Sequence, residues 1–268
     1  MTLPTRMVEK PWGKDRLPPP FETPAGQRIG EVWFEPPAAL SQLLIKYIFT
    51  SEKLSVQVHP SDAQTLQAGL GKQGKEECWL VIAADEGAML GIGFDRAVDA
   101  RHMRRAACDG AIEGLMTWFP VKAGDFFYIP ANTVHAIGAG VSLIEVQQNS
   151  DITYRLYDYG RPRELHLDDG IAVARGEPYD DPRRRHVSDR GEITLVDGPL
   201  FRLVRYDGPL SDEAQALFGS GGLLVVPIDL AVAVDGAPVS AGACELAVSV
   251  GRLAIPRGAR GLIAQPIS

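Results

Sequence analysis

A six-residue stretch in which apolar and polar side chains alternate strictly is the feature that most constrains how this chain folds. Within residues 54–59, Ser55, Gln57 and His59 share one face of an extended strand, and two valines share the other face. A period of two is the pattern of a β-strand that separates two environments. We therefore expect the valines to pack in a core and the three polar side chains to line a site.

Strand patterns recur along the chain and outnumber helix patterns. Residues 43–49 form a continuous apolar run with a single lysine, Lys46, which is typical of a strand buried on both faces. Further strand patterns lie at residues 77–82, 125–130 and 142–147, and helix patterns lie at residues 62–70, 99–115 and 165–174. Many short strands with few helices favour an antiparallel barrel or sandwich over an alternating βαβ fold.

Changes in composition divide the chain into segments. Residues 1–30 are rich in proline and glycine, and we expect them to form a wrapping arm. Residues 176–190 are dense in charge, proline and glycine, which is typical of a linker. We therefore predict a first domain at residues 1–175, a linker at 176–190, and a second, smaller β-domain at 191–268 that contains no histidine.

Composition and charge limit the class of partner and the compartment. Hydrophobic residues make up 45% of the chain and charged residues 23%, which is a globular balance. A formal net charge of −7 argues against a nucleic-acid surface and repels anionic substrates at long range, so any phosphate site must be built locally. The three cysteines form no disulfide framework and no apolar run is as long as a membrane span, so we expect a soluble cytoplasmic protein.

Two of the five histidines lie at positions where a polar side chain needs a structural or functional explanation. His59 ends the alternating strand, and His135 follows a turn at residues 130–134. A single strand histidine is more often a structural residue than a ligand, but two histidines and the carboxylate of Glu77 form a donor set for zinc and related ions. Lys75 would project to the same side as Glu77 if the strand already begins there, which would put a cation beside the metal.

Four segments resemble the signature segments of the type I phosphomannose isomerases and occur in the same order. They are residues 55–60, 74–79, 129–138 and 147–151. The resemblance covers about residues 10–175, and because no extra helical domain is present, the chain is similar to the short bacterial form of the family. It implies a cupin-type antiparallel β-barrel (jelly roll) with a few helices, one zinc ion per chain, and reversible isomerisation of mannose 6-phosphate and fructose 6-phosphate.

The same resemblance assigns roles to particular residues. The metal ligands that it implies are Gln57, His59, Glu77 and His135. The positions near the reacting carbons, which we expect to be catalytic, are Lys75, Glu145 and Arg155. The positions associated with the phosphate end of the substrate are Lys46 and Ser55.

The chemistry of aldose–ketose isomerisation is consistent with these residue types. A proton moves between two carbons through an enediol, whose negative oxygen needs electrostatic stabilisation, and a zinc ion supplies it as a Lewis acid. Three proton carriers remain open: Glu145, Lys75 and the ligand shell with its bound water. The planar fork of Arg155 suits an oxyanion or a pair of hydroxyls.

Two other classes of protein share some of these features. One is a metal-binding sugar-phosphate cupin that has no turnover or a different specificity, and Lys75, Glu145 and Arg155 count against it. The other is an iron oxygenase with two histidines and a carboxylate, and Gln57 and the phosphate-side cations count against that class. The sequence leaves the oligomeric state open.

Overall fold

The computed structural model describes residues 2–267, and antiparallel strands make up most of its regular structure. The strands are, in chain order, β1 (Thr5–Lys14), β2 (Ile29–Phe34), β3 (Leu43–Phe49), β4 (Val56–Val58), β5 (Glu77–Ala84), β6 (Met89–Phe94), β7 (Met116–Pro120), β8 (Asp125–Ile129), β9 (His135–Ile137), β10 (Val141–Gln148), β11 (Tyr154–Tyr157), β12 (Arg185–His186), β13 (Ile193–Asp197), β14 (Phe201–Asp207), β15 (Leu223–Pro227), β16 (Val232–Val234), β17 (Ala237–Val239), β18 (Glu245–Ala247), β19 (Leu253–Ala254) and β20 (Arg260–Pro266). The helices are α1 (Asp62–Gln67), α2 (Ala100–Asp109), α3 (Ile112–Leu115), α4 (Leu167–Val173) and α5 (Asp212–Phe218), with 3₁₀ turns at Ala38–Leu40 and Val250–Arg252. The mainly β, antiparallel fold class predicted from the sequence is confirmed.

Two sheets form the part of the fold that carries the site. The large sheet has seven strands in the order β1-β2-β3-β10-β5-β8-β12, and the facing sheet has five in the order β11-β4-β9-β6-β7. Apolar side chains from both sheets, such as Trp79 of the large sheet and Ile92 of the facing sheet, meet in one core cluster. The predicted site residues therefore lie between two sheets that pack face to face.

The central strands of the large sheet, β3 and β10, are buried on both faces. All seven residues of β3 are buried. Ile48 belongs to the cluster between the two sheets, whereas Ile45, Tyr47 and Phe49 belong to a second cluster on the opposite face. The continuous apolar run is thus explained by two cores, and Lys46 points to the same side as Ile48, towards the facing sheet.

The alternation in β4 has the predicted consequence. Val56 and Val58 pack with Met103 and Ala106 of α2 in a cluster outside the facing sheet. Because successive side chains point to opposite faces, the flanking polar residues turn towards the large sheet. This confirms the prediction of one apolar face and one polar face.

The C-terminal third forms two further sheets. Their strand orders are β13-β14-β20-β15-β18 and β17-β16-β19. Phe201 and Leu224 of the five-stranded sheet share a core cluster with Tyr47 of the large sheet, and β12, inside the predicted linker, pairs with β8. The two halves therefore pack through a common core, and the predicted domain boundaries stay a prediction.

Two of the predicted elements were wrong in detail. The expected arm at residues 1–30 contains the ten-residue strand β1, which pairs with β2 at the edge of the large sheet. Its register shifts between Glu9 and Lys14 accommodate Pro11, because an edge strand tolerates a residue without an N–H. The expected helix at 99–115 is broken at Gly110, whose φ of 82° ends α2 in the left-handed conformation.

None of the helices within residues 2–267 combines the length and the apolar character that crossing a membrane requires.

Candidate metal centre

Three neighbouring strand ends bring the predicted metal ligands together. His59 directly follows β4, Glu77 begins β5, and His135 begins β9. One ligand atom from each of the three residues lies within 4.8 Å of the others, and all three side chains are buried. The pairing of β4 with β9 puts Gln57 opposite His135, and Gln57 Nε2 lies 3.2 Å from His135 Nε2.

Both imidazole rings are oriented by backbone carbonyls behind them. His59 Nδ1 lies 2.9 Å from the carbonyl oxygen of Ile152, and His135 Nδ1 lies 2.9 Å from that of Thr133. A carbonyl only accepts hydrogen bonds, so each Nδ1 carries the proton and each Nε2 presents its lone pair. This is the arrangement that orients metal-binding histidines in proteins.

Both histidines of the donor set are neutral, and the carboxylate of Glu77 is not fully hydrogen-bonded. Burial lowers the pKa of His135 to about 4, and burial followed by the nearby Lys75 charge lowers the pKa of His59 well below its usual value. The two Nε2 atoms lie 3.6 and 3.4 Å from oxygens of Glu77, for His59 and His135 respectively. Glu77 Oε1 accepts no hydrogen bond from residues 2–267 and faces the unprotonated His135 Nε2, and a buried carboxylate is costly without a cation.

One cation of the chain itself lies against these donors. Lys75 Nζ is 2.7 Å from Glu77 Oε2 and 3.0 Å from His59 Nε2. The ammonium thus neutralises the carboxylate and covers one of the histidine lone pairs. Two neutral imidazoles and a carboxylate fit a zinc ion, for which the Lys75 charge is a competitor.

A row of alternating charges leads from this centre across the large sheet. Its members are Lys10, Glu31, Lys46, Glu145, Lys75 and Glu77. Lys46 Nζ lies 2.8 Å from Glu145 Oε1, and Lys75 Nζ lies 4.0 Å from the same oxygen. The indole N–H of Trp79 donates to the other oxygen of Glu145 at 2.9 Å.

The charges in this row hold one another ionised. Burial alone would lower the pKa of Lys46, but the carboxylates of Glu145 and Glu31 outweigh it and raise that pKa. Burial would likewise raise the pKa of Glu31, but Lys46 and Lys10 lower it. Such a row is stable because each buried charge has a partner of opposite sign.

A cavity of about 370 Å³ opens onto this row between the two sheets. Lys46, Lys75 and Glu145 line its large-sheet wall, and Ser55, Gln57 and Arg155 come from the facing sheet and the chain next to it. The structure therefore brings every predicted site residue to one place. Six of them line the cavity, and His59, Glu77 and His135 lie directly behind Lys75 and Gln57 as the floor of the site.

Several residues of the cavity were missed in the sequence. They are Lys10, Trp33, Arg163 and His166. Trp33 lies two positions from Glu31 on β2, and its indole N–H donates to Glu31 at 2.6 Å. The spacing of two residues places both side chains on one face of the strand, which is a sequence signal for Trp33. Arg163 lies in a loop outside any periodic pattern, and His166 lies at the start of the predicted helix at 165–174, which gave no sign of a role in the site.

No family model matches the chain. It is 41% identical to a mannose-6-phosphate isomerase of Streptococcus mutans over 172 residues, which are 61% of this chain and 54% of that protein. The chain spans about half the length of the curated relatives that it matches.

The solved structures cover the whole chain. A mannose 6-phosphate isomerase from Bacillus subtilis superimposes with a TM-score of 0.75 at 23% identity, over 98% of this chain and 98% of that one. The chain has the phosphomannose isomerase fold. A zinc-bound mannose 6-phosphate isomerase, with this same fold, has a TM-score of 0.69 at 14% identity over 100% of this chain and 99% of that one.

We expect His59→Ala and His135→Ala each to lose bound metal, because each removes one of few ligands from a buried site. Mass spectrometry of metals should find less than about a tenth of the wild-type zinc after gel filtration. His186→Ala is the control, since His186 is exposed and its ring pairs with Asp125, away from the three ligands. A His59 or His135 variant that kept a full equivalent of zinc would show that the site is misplaced.

We expect Lys75→Met to bind zinc several-fold more tightly while losing turnover, because it removes the charge that opposes a divalent ion. Competition with a fluorescent chelator measures the affinity. Lys72→Met, three residues earlier at an exposed position, should bind zinc as the wild type does. Weaker zinc binding in Lys75→Met would mean that Lys75 supports the ligand set and does not compete with the ion.

Proposed function

We propose that the chain is a zinc-dependent mannose-6-phosphate isomerase, which interconverts mannose 6-phosphate and fructose 6-phosphate with one zinc ion per chain. The observation that carries the proposal is the buried donor set of His59, Glu77 and His135, which lies directly behind the lining of a polar cavity. Relatives and structural neighbours named as mannose-6-phosphate isomerases support the choice of substrate. We propose Gln57 as the fourth protein ligand, since turning its amide over places an oxygen where Nε2 now lies.

A zinc ion at this floor would supply Lewis-acid polarisation of the substrate's carbonyl oxygen. The residues of the chain do the remaining work. Glu145 is held in place by Trp79 on one oxygen and by Lys46 on the other. We propose that Glu145 and Lys75, which lie 4.0 Å apart, carry the proton between the two adjacent carbons. Two groups at that separation can exchange a proton with both carbons without a large movement.

Arg155 completes the proposed catalytic set. Only its Nε is engaged by residues 2–267, donating to the carbonyl oxygen of Glu164 at 3.1 Å. Its two terminal nitrogens are therefore available to the cavity that it lines. We propose that this fork binds substrate oxygens that become negative in the enediol.

Lys46 and Ser55 are the proposed substrate-binding pair on opposite walls of the cavity. Ser55 Oγ donates to Gln57 Oε1 at 3.3 Å, and Lys46 is paired with Glu145. The Lys46 charge is thus already neutralised by a protein carboxylate. Its role at the phosphate stays a prediction that a variant must test.

A reducing compartment fits the same proposal. All three cysteines are free thiols, and two of them, Cys78 and Cys244, are buried. We propose that the chain works in the cytoplasm.

The test of the function is an isomerase assay on protein loaded with zinc. Mannose 6-phosphate is incubated with the enzyme, and fructose 6-phosphate is measured through a coupled dehydrogenase or by ¹³C NMR. We expect turnover in the range of about 1–10³ per second, the usual range for enzymes, and its loss after chelation. Zinc-loaded, folded protein without turnover on mannose 6-phosphate would refute the proposal.

We expect Lys46→Met to raise KM for mannose 6-phosphate by about tenfold or more, the effect of losing one charge-assisted hydrogen bond, with zinc retained. Thermal stability should also fall, because Glu145 loses its buried partner. Lys10→Met is the variant for comparison of KM and stability, since Lys10 is the first residue of the same row and is partly exposed. An unchanged KM with lower stability would make Lys46 a structural residue.

A further inference from the structure

The cavity is also lined by residues 151–166, which include β11 and the loop after it. Arg155, Arg163 and His166 line it, together with Thr153 and Asp151. Arg155 lies on the metal side, because its strand register puts it opposite Gln57. Arg163 follows eight residues later in the loop before α4.

Arg163 is held in place by a buried carboxylate. Its Nε and Nη2 donate to the two oxygens of Asp158, both at 2.6 Å, and Asp158 is only 2% exposed. This paired bond fixes the plane of the guanidinium. The remaining nitrogen, Nη1, has no hydrogen-bond partner among residues 2–267.

The two guanidiniums are electrostatic neighbours. The pKa of Arg155 is lowered by its partial burial first and by the charge of Arg163 next. Asp151 offsets part of the positive charge, as do Asp158 and Glu164. The free nitrogens of both arginines nevertheless remain directed to a cavity where an anion would satisfy them.

The other cations of the cavity are already paired. Lys46 Nζ lies 2.8 Å from Glu145, and Lys75 Nζ lies 2.7 Å from Glu77. Since the chain carries a net charge of −7, a phosphate dianion needs unpaired local donors to be bound. Arg155 provides its two terminal nitrogens, and Arg163 provides Nη1, because Asp158 pairs only its Nε and Nη2.

We propose that Arg163, held by Asp158, binds the phosphate group of the substrate, with Arg155 between it and the metal. This inference rests on the proposed function for the identity of the ligand. It adds a substrate-binding residue for which the sequence held no signal, and it assigns the phosphate to a residue other than the paired Lys46.

Arg161 provides a matched control. It donates to the same Asp158 at 3.1 Å and also to the carbonyl oxygen of Lys53 at 2.7 Å, but it does not line the cavity. Arg161→Gln and Arg163→Gln therefore each remove one arginine from Asp158. Only Arg163→Gln removes a donor from the cavity.

The experiment measures the binding of sorbitol 6-phosphate to zinc-loaded protein by calorimetry. This compound carries the phosphate but has no carbonyl, so its binding does not depend on turnover. We expect Arg163→Gln to weaken the affinity by about tenfold or more, Arg163→Lys to weaken it less, and Arg161→Gln to change it less than about twofold. In the isomerase assay, Arg163→Gln should raise KM with little change in kcat, whereas Arg155→Lys should lower kcat.

The outcomes separate this inference from the proposed function. Unchanged affinity in Arg163→Gln, an equal loss in Arg161→Gln, or no binding of sorbitol 6-phosphate by the wild type would each overturn the phosphate assignment. Binding that depends on Arg163 in a wild-type protein without turnover would support the phosphate site and refute the isomerase. Circular dichroism melting of each variant checks that it is folded.

Discussion

The buried carboxylate of Glu77 is the group on which the arrangement of the site depends. A carboxylate that is fully buried is tolerated only with a cation beside it, and the fold supplies Lys75 at 2.7 Å. The same requirement holds for the other charges of the row, since Lys75 lies near Glu145 and Glu145 pairs with Lys46. The two sheets thus enclose a polar centre within an otherwise apolar interior because each charge in it is balanced.

This balance has a functional consequence. A divalent ion that binds His59, Glu77 and His135 must displace or repel the Lys75 ammonium, which now contacts two of the three donors. A displaced ammonium remains close to Glu145 and to the cavity, where a substrate would meet it. Metal binding and the placement of a proton carrier are therefore coupled in the proposed mechanism.

Local patterns in the sequence predicted much of the fold and the floor of the site. The alternation around Gln57 and the apolar run around Lys46 are set by the faces of single strands, which a period of two reveals. The wider cavity depends on contacts between distant segments. Glu31 reaches it through the pairing of β2 with β3, and Arg163 through a loop that Asp158 orders. Such placement follows from tertiary packing, which residue spacing does not encode. The break after α2 is local instead, since Gly110 ends the helix in the left-handed conformation.

Anomalous diffraction at the zinc edge, on crystals of zinc-loaded protein, tests the central claim most directly. The account predicts one peak per chain, at about 2.0–2.2 Å from Nε2 of His59, Nε2 of His135 and an oxygen of Glu77. It also predicts that Lys75 Nζ has moved off His59 Nε2. A peak at any other place, or a Lys75 ammonium that still bridges His59 and Glu77 in the presence of zinc, would contradict it.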